Sequence, residues 1–218
     1  MDGDDGVRVA LASVRYPVTS LGPGRRIGVW FQGCSIQCPG CMARDTWDTG
    51  ERTTLAELLG FVSRYGPEEV AGVTVSGGEP FDQPAALAGL VSWLRDSFCG
   101  ADRDILVCSG HRKEHLLKRF PDILSRLDAL ISDPFRPNVA GAAALRWRGS
   151  RNQRLTLLSD LGRERYSNDL ASPSRGEVQL AVDGDRMRLI GVPRADDMFL
   201  LEQHLRDRGI ELHGASWR

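Results

Sequence analysis

Short apolar runs rich in β-branched residues alternate with helical patterns along most of this chain. The runs have the length and hydrophobicity of strands that are buried on both faces; they are Val7–Val14, Ile27–Phe31, Ala71–Ser76, Asp104–Ser109 and Ala129–Ser132. Strands that alternate with helices predict a mainly parallel sheet with right-handed crossovers, either open or curled into a complete or partial barrel. Functional residues of such folds lie at the carboxyl ends of the strands.

Two of the helical patterns carry start signals. Thr54 and Glu57 have the spacing of a capping box, and Pro84 suits the first turn of a helix. Apolar residues then recur at the i, i+3, i+4, i+7 spacing of one helix face; they are Leu55, Leu58, Leu59 and Val62 in the first pattern and Leu87, Leu90, Val91 and Leu94 in the second. The sequence therefore predicts two helices that each bury one face.

The last part of the chain has a different character. Ser159–Gly176 is polar and rich in Arg, Ser and Asp, which favours a linker or surface loop. Two β-type runs then flank a turn pair at Asp183-Gly184, and a helical pattern follows them. We therefore expect a catalytic core over residues 1–158 and a small C-terminal extension over residues 159–218, made of a linker, a β-hairpin and a helix.

The charge balance and the hydropathy pattern exclude several partners. The 28 basic and 29 acidic residues leave a net charge of -1, so no general basic field draws the chain to nucleic acid. No apolar run approaches the ~20 residues that a membrane-spanning helix needs. Met1–Asp5 has neither the basic nor the apolar region of a secretory signal. We expect a cytoplasmic protein that binds neither nucleic acid nor a membrane.

Three of the five cysteines lie within eight residues: Cys34, Cys38 and Cys41, in a C-x3-C-x2-C pattern. Thiolates are soft ligands that suit zinc and iron-sulfur clusters, but a closed zinc site takes four ligands, and no fourth Cys or His lies nearby in the sequence. A cubane cluster held by three cysteines leaves its fourth iron open to a substrate or cosubstrate. The motif therefore predicts a 4Fe-4S cluster with redox chemistry at the open iron.

The cysteine loop resembles that of the radical SAM superfamily, in which the loop follows the first barrel strand, as Cys34 follows Ile27–Phe31. Most superfamily members have an aromatic residue where Gly40 stands, and the Cys-Pro-Gly-Cys ending is instead similar to that of activases of anaerobic ribonucleotide reductase. Other segments resemble that activase family too; they are Tyr16-Pro17-Val18, Gly22-Pro23-Gly24-Arg25, Asp45-Thr46-Trp47 and Leu145–Gln153. The resemblance implies a partial (β/α) barrel of the radical SAM type.

The resemblance also implies a site for S-adenosylmethionine. Ser76-Gly77-Gly78-Glu79 matches the superfamily element that binds the amino end of the methionine moiety. Glycines there expose backbone carbonyls, and Glu79 supplies a negative charge for the α-ammonium group. Ser109 and Asp133 end the next two predicted strands, where their side chains would reach the same cofactor, but an ordinary turn role is an equal alternative for each.

By this resemblance the chain is an oxidoreductase that reductively cleaves S-adenosylmethionine at the 4Fe-4S cluster and generates a 5'-deoxyadenosyl radical. In the activase family that radical takes hydrogen from a glycine of a protein partner. We expect an external reductant of the flavodoxin or ferredoxin type. Two alternatives stay open. One is radical chemistry on a small-molecule or peptide substrate, and the other is a non-catalytic iron-sulfur electron carrier, which has no need of Gly77-Gly78-Glu79.

Several other side chains favour structural roles. His111 and His115 have helical spacing but no carboxylate partner at a metal-site spacing, which favours a surface pair. Cys99 and Cys108 are isolated and are expected to be buried or partly buried free thiols. A basic stretch could contact a partner, although such charge runs are usually solvated faces; its members are Arg146, Arg148, Arg151 and Arg154.

Overall fold

The computed structural model describes residues 6–139, 145–173, 176–184, 186–194 and 196–216. Met1–Asp5, on which the expectation about a secretory signal rests, lies outside the described residues, and so does Asp185 beside the predicted turn pair. Among the helices that the structure describes, none is long and apolar enough to cross a membrane.

Within the described ranges, seven strands form one mixed sheet and two form a separate hairpin. The strands are β1 (Arg8–Val18), β2 (Arg26–Phe31), β3 (Arg52–Thr54), β4 (Gly72–Gly77), β5 (Asp104–Cys108), β6 (Ala129–Ser132), β7 (Arg154–Leu157), β8 (Val178–Asp183) and β9 (Arg186–Gly191). The order in the sheet is β3-β1-β2-β4-β5-β6-β7. Strands β2, β4, β5 and β6 run parallel in the centre, and β1, β3 and β7 continue the two sides in antiparallel pairing. The expected α/β fold with mainly parallel central strands is confirmed.

The helices that connect the parallel strands cover one face of the sheet, and a later helix packs on the opposite face. The helices are α1 (Leu55–Ser63), α2 (Pro84–Trp93), which continues as a π-helical segment (Leu94–Cys99), α3 (Lys113–Arg119), α4 (Pro121–Leu124), α5 (Asp160–Tyr166) and α6 (Asp197–Arg206). Both predicted helix starts are confirmed, because Thr54 and Glu57 form the capping box of α1 and Pro84 is the first residue of α2. The main core packs α1 to α4 against the inner strands through fully buried residues such as Leu58, Leu87 and Val75.

A buried ion pair joins the amino ends of three parallel strands. Arg26 of β2 and Asp104 of β5 lie on either side of β4, both in register with Gly72. Both side chains are fully buried, and the guanidinium donates to the two carboxylate oxygens at 2.9 and 2.7 Å. A Cβ at Gly72 would lie 2.7 Å from Arg26 Nη1 and 2.5 Å from the Asp104 carbonyl oxygen. The arginine therefore crosses β4 only because Gly72 has no side chain.

Helix α5 completes this network. Arg165 Nη1 donates to Asp104 at 2.8 Å, and the Tyr166 hydroxyl donates to the same carboxylate. Burial would raise the pKa of Asp104, but the Arg26 guanidinium and the other donors outweigh burial and hold that pKa below its usual range. Asp104 is therefore ionised at neutral pH, and it acts as the common acceptor for side chains from β2 and α5.

Helix α5 corrects the expectation that Ser159–Gly176 is a linker or surface loop. Its first part is helical, and Ser159 Oγ caps the helix by accepting a hydrogen bond from Gly162 N at 3.0 Å. Tyr166 is fully buried in a second cluster against strands β5 to β7. The sequence pattern missed this helix because a short helix with only Gly162 and Tyr166 buried shows no hydrophobic period.

The rest of the C-terminal extension contains the expected hairpin and helix. Strands β8 and β9 pair in antiparallel register, and α6 follows them. Gln179 on β8 donates to the Pro17 carbonyl at 2.7 Å, and Ser216 near the end of the chain donates to the Met42 carbonyl at 2.7 Å. The extension thus contacts both the end of β1 and the segment after the cysteines, while the domain boundary at residue 158 stays a prediction.

Replacing Asp104 by Asn should lower the free energy of unfolding by about 3–5 kcal/mol, because it leaves the Arg26 guanidinium buried without its counter-charge. Urea unfolding measures the change. Asp96→Asn is the matched control, because Asp96 pairs with Arg126 at an exposed position and should contribute about 1 kcal/mol or less. Equal effects of the two substitutions would contradict the structural role of the buried pair.

Candidate functional site

The cysteine loop begins where β2 ends and is fixed by backbone hydrogen bonds. Gly33 N donates to the Thr46 carbonyl at 2.8 Å, and Cys34 N donates to the Trp47 carbonyl at 2.9 Å. The turn over residues 44–46 thus closes the far side of the loop. Cys41 N donates to the Cys38 carbonyl at 3.0 Å, which folds the second half of the motif into a tight turn. The loop is therefore a defined structure at the carboxyl end of a parallel strand.

The three thiols of the loop are free and half-buried. Backbone N–H groups of Ile36 and Gln37 donate to the Cys34 sulfur, and the N–H of Phe135 donates to the Cys38 sulfur. Burial raises the pKa of both thiols, so each is protonated at neutral pH when it ligates nothing. Ligation to a metal would deprotonate them, and the N–H donors would then stabilise the thiolates.

The donor set fits an iron-sulfur cluster better than a single ion. Among the residues that the structure describes, no group of three His, Cys, Asp or Glu side chains is arranged to hold one metal ion. A cubane cluster takes each thiolate on a different iron, so its cysteines need not converge on one point. Three soft thiol donors on one loop, with N–H donors at two sulfurs, are the chemistry that such a cluster uses.

Two glycines at the end of β4 bring the second motif against the cysteine loop. A Cβ at Gly77 would lie 2.3 Å from the Phe31 carbonyl oxygen, and one at Gly78 would lie 2.0 Å from the Gly33 carbonyl oxygen. Only residues without side chains allow this approach. Gly78 N then donates to Phe31 O, and Glu79 N donates to Gly33 O, both at 2.8 Å. The glycines therefore have a packing role in addition to the expected exposure of carbonyls.

Glu79 is almost fully buried and accepts three hydrogen bonds. The donors are Phe81 N at 3.0 Å, Ser109 Oγ at 2.9 Å and Gly110 N at 2.8 Å. Burial raises the pKa of this carboxyl to about 7, against the opposite effect of the three donors. Glu79 thus links the turn after β4 to the loop after β5. Because its pKa is about 7, its protonated and ionised forms are similarly populated at neutral pH.

The structure brings the other predicted cofactor residues to the same edge of the sheet. The Ser109 hydroxyl donates to Glu79 and accepts from His111 N at 3.0 Å, and Ser76 forms a hydrogen bond with the Cys108 thiol. Asp133, one strand further along, is joined to the same loop because its N–H donates to the His111 carbonyl at 2.8 Å. The side chains of Ser109 and Ser76 already have partners within the protein.

The carboxylate of Asp133 is held by an arginine. Arg154 Nε and Nη2 donate to its two oxygens at 2.8 and 3.0 Å. Arg154 also donates to both carboxylate oxygens of Glu114 in a bidentate arrangement. Asp133 has a positive φ of 83°, an unusual backbone conformation outside glycine. These contacts favour a role in shaping the loop after β6.

A connection that the sequence reasoning missed lies between the two motifs. Asp82 accepts from Ser35 N at 2.7 Å and from Ser35 Oγ at 2.9 Å, and His111 Nε2 lies 3.6 Å from its Oδ1 atom. His115 is exposed, as expected for a surface pair, but His111 is only partly exposed and faces Asp82. The spacing along the chain contains no signal for these contacts, because they join three separate loops.

Three of the four arginines in the basic stretch form hydrogen bonds or ion pairs within the protein. Arg146 pairs with Asp169 at 2.6 Å, Arg148 donates to the Asp169 and Leu170 carbonyls, and Arg154 pairs with Asp133. These three side chains therefore stabilise the region before and after β7. The expectation for the isolated thiols is confirmed, because Cys99 is buried and Cys108 is partly exposed, and both are free.

Comparison with known proteins matches the part of the chain that contains both motifs. Residues 20–156 match the family described as the 4Fe-4S single cluster domain. Among individual proteins, the chain is 30% identical over 150 residues to the anaerobic ribonucleoside-triphosphate reductase-activating protein of Enterobacteria phage T4. The aligned region covers 66% of this chain and 92% of that protein. The protein of the same name from Escherichia coli (strain K12) is 28% identical over 145 residues, which is 63% of this chain and 92% of the relative.

A further relative has a different activity in its name. The pyruvate formate-lyase-activating enzyme of Clostridium pasteurianum is 39% identical over 80 residues, or 34% of each chain. Both sets of relatives are activating enzymes. The family match over residues 20–156 covers the part of the chain that carries the cysteine loop and the Gly77-Gly78-Glu79 turn, and it ends before residue 159.

The buried Glu79 carboxyl should make stability depend on pH. Its pKa of about 7 in the folded chain lies above the ordinary 4.5, so the folded state binds more protons than the unfolded state between these values. Stability should fall as pH rises from about 4.5 to 7, by on the order of 3 kcal/mol. In Glu79→Gln that part of the slope should be missing. Anaerobic urea unfolding between pH 5 and 8, without S-adenosylmethionine, measures it.

Glu114→Gln is the control for this experiment. Glu114 is exposed, and its hydrogen bonds with Arg154 lower its pKa to about 2, so it does not titrate in this range. The Glu114→Gln profile should therefore run parallel to that of the unmodified protein. A Glu79→Gln profile that is also parallel would show that Glu79 does not titrate near neutral pH.

Proposed function

Because this chain belongs to the 4Fe-4S single cluster domain family, among the radical SAM activases of glycyl radical enzymes, we propose that it activates a protein partner. It is an oxidoreductase whose cofactors are a 4Fe-4S cluster and S-adenosylmethionine. When bound, these cofactors supply the one-electron chemistry that removes a hydrogen atom from the partner. The chain itself binds and orients them and keeps water from the reacting atoms.

The observation that carries the proposal is the junction between the two motifs. The Glu79 N–H donates to the Gly33 carbonyl next to Cys34, and Gly78 packs directly on the same residue. A methionine moiety bound at the turn over residues 77–79 would therefore lie beside the cysteine loop. An electron carrier has no use for such a junction, because it needs no site for a second ligand next to its cluster.

In the proposed ligand set, Cys34, Cys38 and Cys41 each hold one iron of the cluster. Two observations support the assignment: the thiols share one short loop, and backbone N–H groups already donate to two of the sulfurs. Hydrogen bonds of this kind orient metal ligands and tune the cluster that they hold. The fourth iron is left for S-adenosylmethionine.

For S-adenosylmethionine we assign Ser76, Gly77, Gly78 and Glu79 to the amino end of the ligand. The Glu79 carboxylate has about four acceptor positions, of which the protein fills three, so about one remains for the α-ammonium group. A cation there would lower the pKa of Glu79 and hold the side chain ionised.

Ser109 and Asp133 complete the proposed site in a supporting role. Ser109 orients the Glu79 carboxylate through its hydroxyl group, and Asp133 shapes the adjacent loop through Arg154. Both residues stand at strand ends that face the same edge of the sheet, where the cofactors of such folds bind.

The partner that the comparisons favour is an anaerobic ribonucleoside-triphosphate reductase. Relatives with that activity in their names match this chain over 92% of their length, whereas the pyruvate formate-lyase-activating enzyme of C. pasteurianum matches over 34%. A glycine of the partner would be the hydrogen donor. An external reductant of the flavodoxin or ferredoxin type would supply the electron.

Four adjacent parallel strands with connecting helices on one face support a partial (β/α) barrel of the radical SAM type, with the core over residues 1–158. The extension over residues 159–218 lies beyond the family match, and the hydrogen bond from Ser216 to the Met42 carbonyl brings its last described residues close to the cysteine loop. This observation favours a second candidate function, in which the extension adapts the site to a peptide or small-molecule substrate.

The cluster assignment predicts the effect of replacing each ligand. Cys34→Ala, Cys38→Ala and Cys41→Ala should each abolish the release of 5'-deoxyadenosine from S-adenosylmethionine by anaerobically reconstituted protein with dithionite. Cys99→Ala is the control, since Cys99 is a buried free thiol of the core, and its removal should cost stability but not cleavage. Cleavage by any of the three loop variants would contradict the ligand set.

The partner assignment predicts a radical on a second protein. Reconstituted chain, S-adenosylmethionine and dithionite should produce a glycyl radical signal, measured by electron paramagnetic resonance, on the anaerobic ribonucleoside-triphosphate reductase of the same organism. The Cys34→Ala variant should produce no signal. If S-adenosylmethionine is cleaved but the reductase acquires no radical, this partner is wrong and the peptide or small-molecule reading gains support.

A further inference from the structure

Phe135 lies between the cysteine loop and a turn before β7. A Cβ at Gly40 would lie 3.4 Å from Phe135 Cε1, and a Cβ at Gly149 would lie 2.9 Å from Cδ2. The ring therefore fills the space that the two glycines leave on its two sides. The backbone N–H of the same residue donates to the Cys38 sulfur. One residue thus contacts the cysteine loop through both its ring and its backbone.

The loop that carries Phe135 is held from behind. Asn152 Nδ2 donates to the Pro134 carbonyl at 2.8 Å, Gln153 Nε2 donates to the Asp133 carbonyl at 3.2 Å, and Arg136 N donates to Ser150 Oγ at 3.1 Å. These bonds fix the backbone on both sides of the ring. The segment from Gly149 to Arg154, which includes part of the basic stretch, is therefore a support for the loop that touches the cysteines.

We propose that Phe135 is a positioning residue for the iron-sulfur cluster. Its ring holds the cysteine loop at Gly40, and its N–H holds the Cys38 sulfur in the orientation that ligation needs. This inference rests on the proposed ligand set, in which Cys38 binds an iron.

Two physical effects carry the inference. An N–H donor at a ligating sulfur stabilises the thiolate and is among the factors that set the properties of a cluster. A packed aromatic ring also reduces the access of water to the loop, and Gly40 has no side chain that could do so. The ring packs between Gly40 and Gly149, which fixes the position of Phe135. The backbone N–H that donates to Cys38 belongs to the same residue, so its position depends on the packing of the ring.

The test compares Phe135→Leu with Phe98→Leu in the reconstituted protein. Phe98 is a buried phenylalanine that stacks on Trp93 in the core, so its truncation controls for a general loss of stability. The readouts are the rate at which a chelator removes iron and the paramagnetic resonance spectrum of the reduced cluster. In Phe135→Leu, iron loss should be about tenfold faster and the spectrum should shift. Phe98→Leu should leave both unchanged.

Gly149→Ala provides a second route that keeps the ring. The added methyl group would lie 2.9 Å from the ring, so it should displace Phe135 and accelerate iron loss in the same way. In the double variant with Phe135→Leu, the increase in the rate of iron loss should be smaller than the two single effects combined. The reason is that the leucine side chain leaves room for the methyl group. Additive effects, or iron loss at the unmodified rate in both single variants, would overturn the inference.

Cys38→Ala separates this inference from the proposed ligand set. If Cys38→Ala still holds a full cluster, the ligand set is wrong and the role of Phe135 falls with it. If Cys38→Ala loses the cluster while Phe135→Leu and Gly149→Ala behave like the unmodified protein, the ligand set stands and only the role of Phe135 is wrong.

Discussion

The ion pair between Arg26 and Asp104 fixes the relative position of three parallel strands. It crosses β4 above Gly72, and the three residues are in register with one another. A slip of one residue in any of these strands would separate the charges or place a side chain where the guanidinium now passes. The register set at the amino ends continues to the carboxyl ends, where Phe31 pairs with Gly77. The junction between the two motifs depends on that alignment.

Several sets of contacts from different strand ends hold the cysteine loop of the candidate site. Backbone bonds from Gly78 and Glu79 hold the start of the cysteine loop, and the carboxylate of Glu79 holds the loop after β5. Asp82 and Phe135 contact the loop at two further points, near Ser35 and near Gly40. Each of these contacts is made to a backbone group or a small residue of the loop. The cysteines are thus held by the ends of several strands, as rigid cofactor sites require.

The extension after residue 158 shows how one segment serves two purposes. Helix α5 belongs to the core in a physical sense, because Tyr166 is buried and bonds to Asp104. The hairpin and α6 that follow have many exposed residues. The hairpin bonds to Pro17 through Gln179 and accepts a hydrogen bond from Ser20 at the Ile190 carbonyl. Ser216, beyond α6, donates to the Met42 carbonyl. The first part therefore stabilises the sheet, and the last described residues of the second part contact the segment after the cysteines.

The sequence by itself determined the cofactor class, the alternation of strands and helices and the first turns of α1 and α2. Each of these depends on residues close together in the chain: three thiols in one loop, a capping box, or an apolar period. The sequence did not predict helix α5, because only Gly162 and Tyr166 of this helix are buried, and two residues are too few for a hydrophobic pattern. The ion pair of Arg26, the Asp82 contacts and the place of Phe135 were decided only by the tertiary structure. They join residues that are distant in the chain, and only the folded sheet brings their side chains within bonding distance.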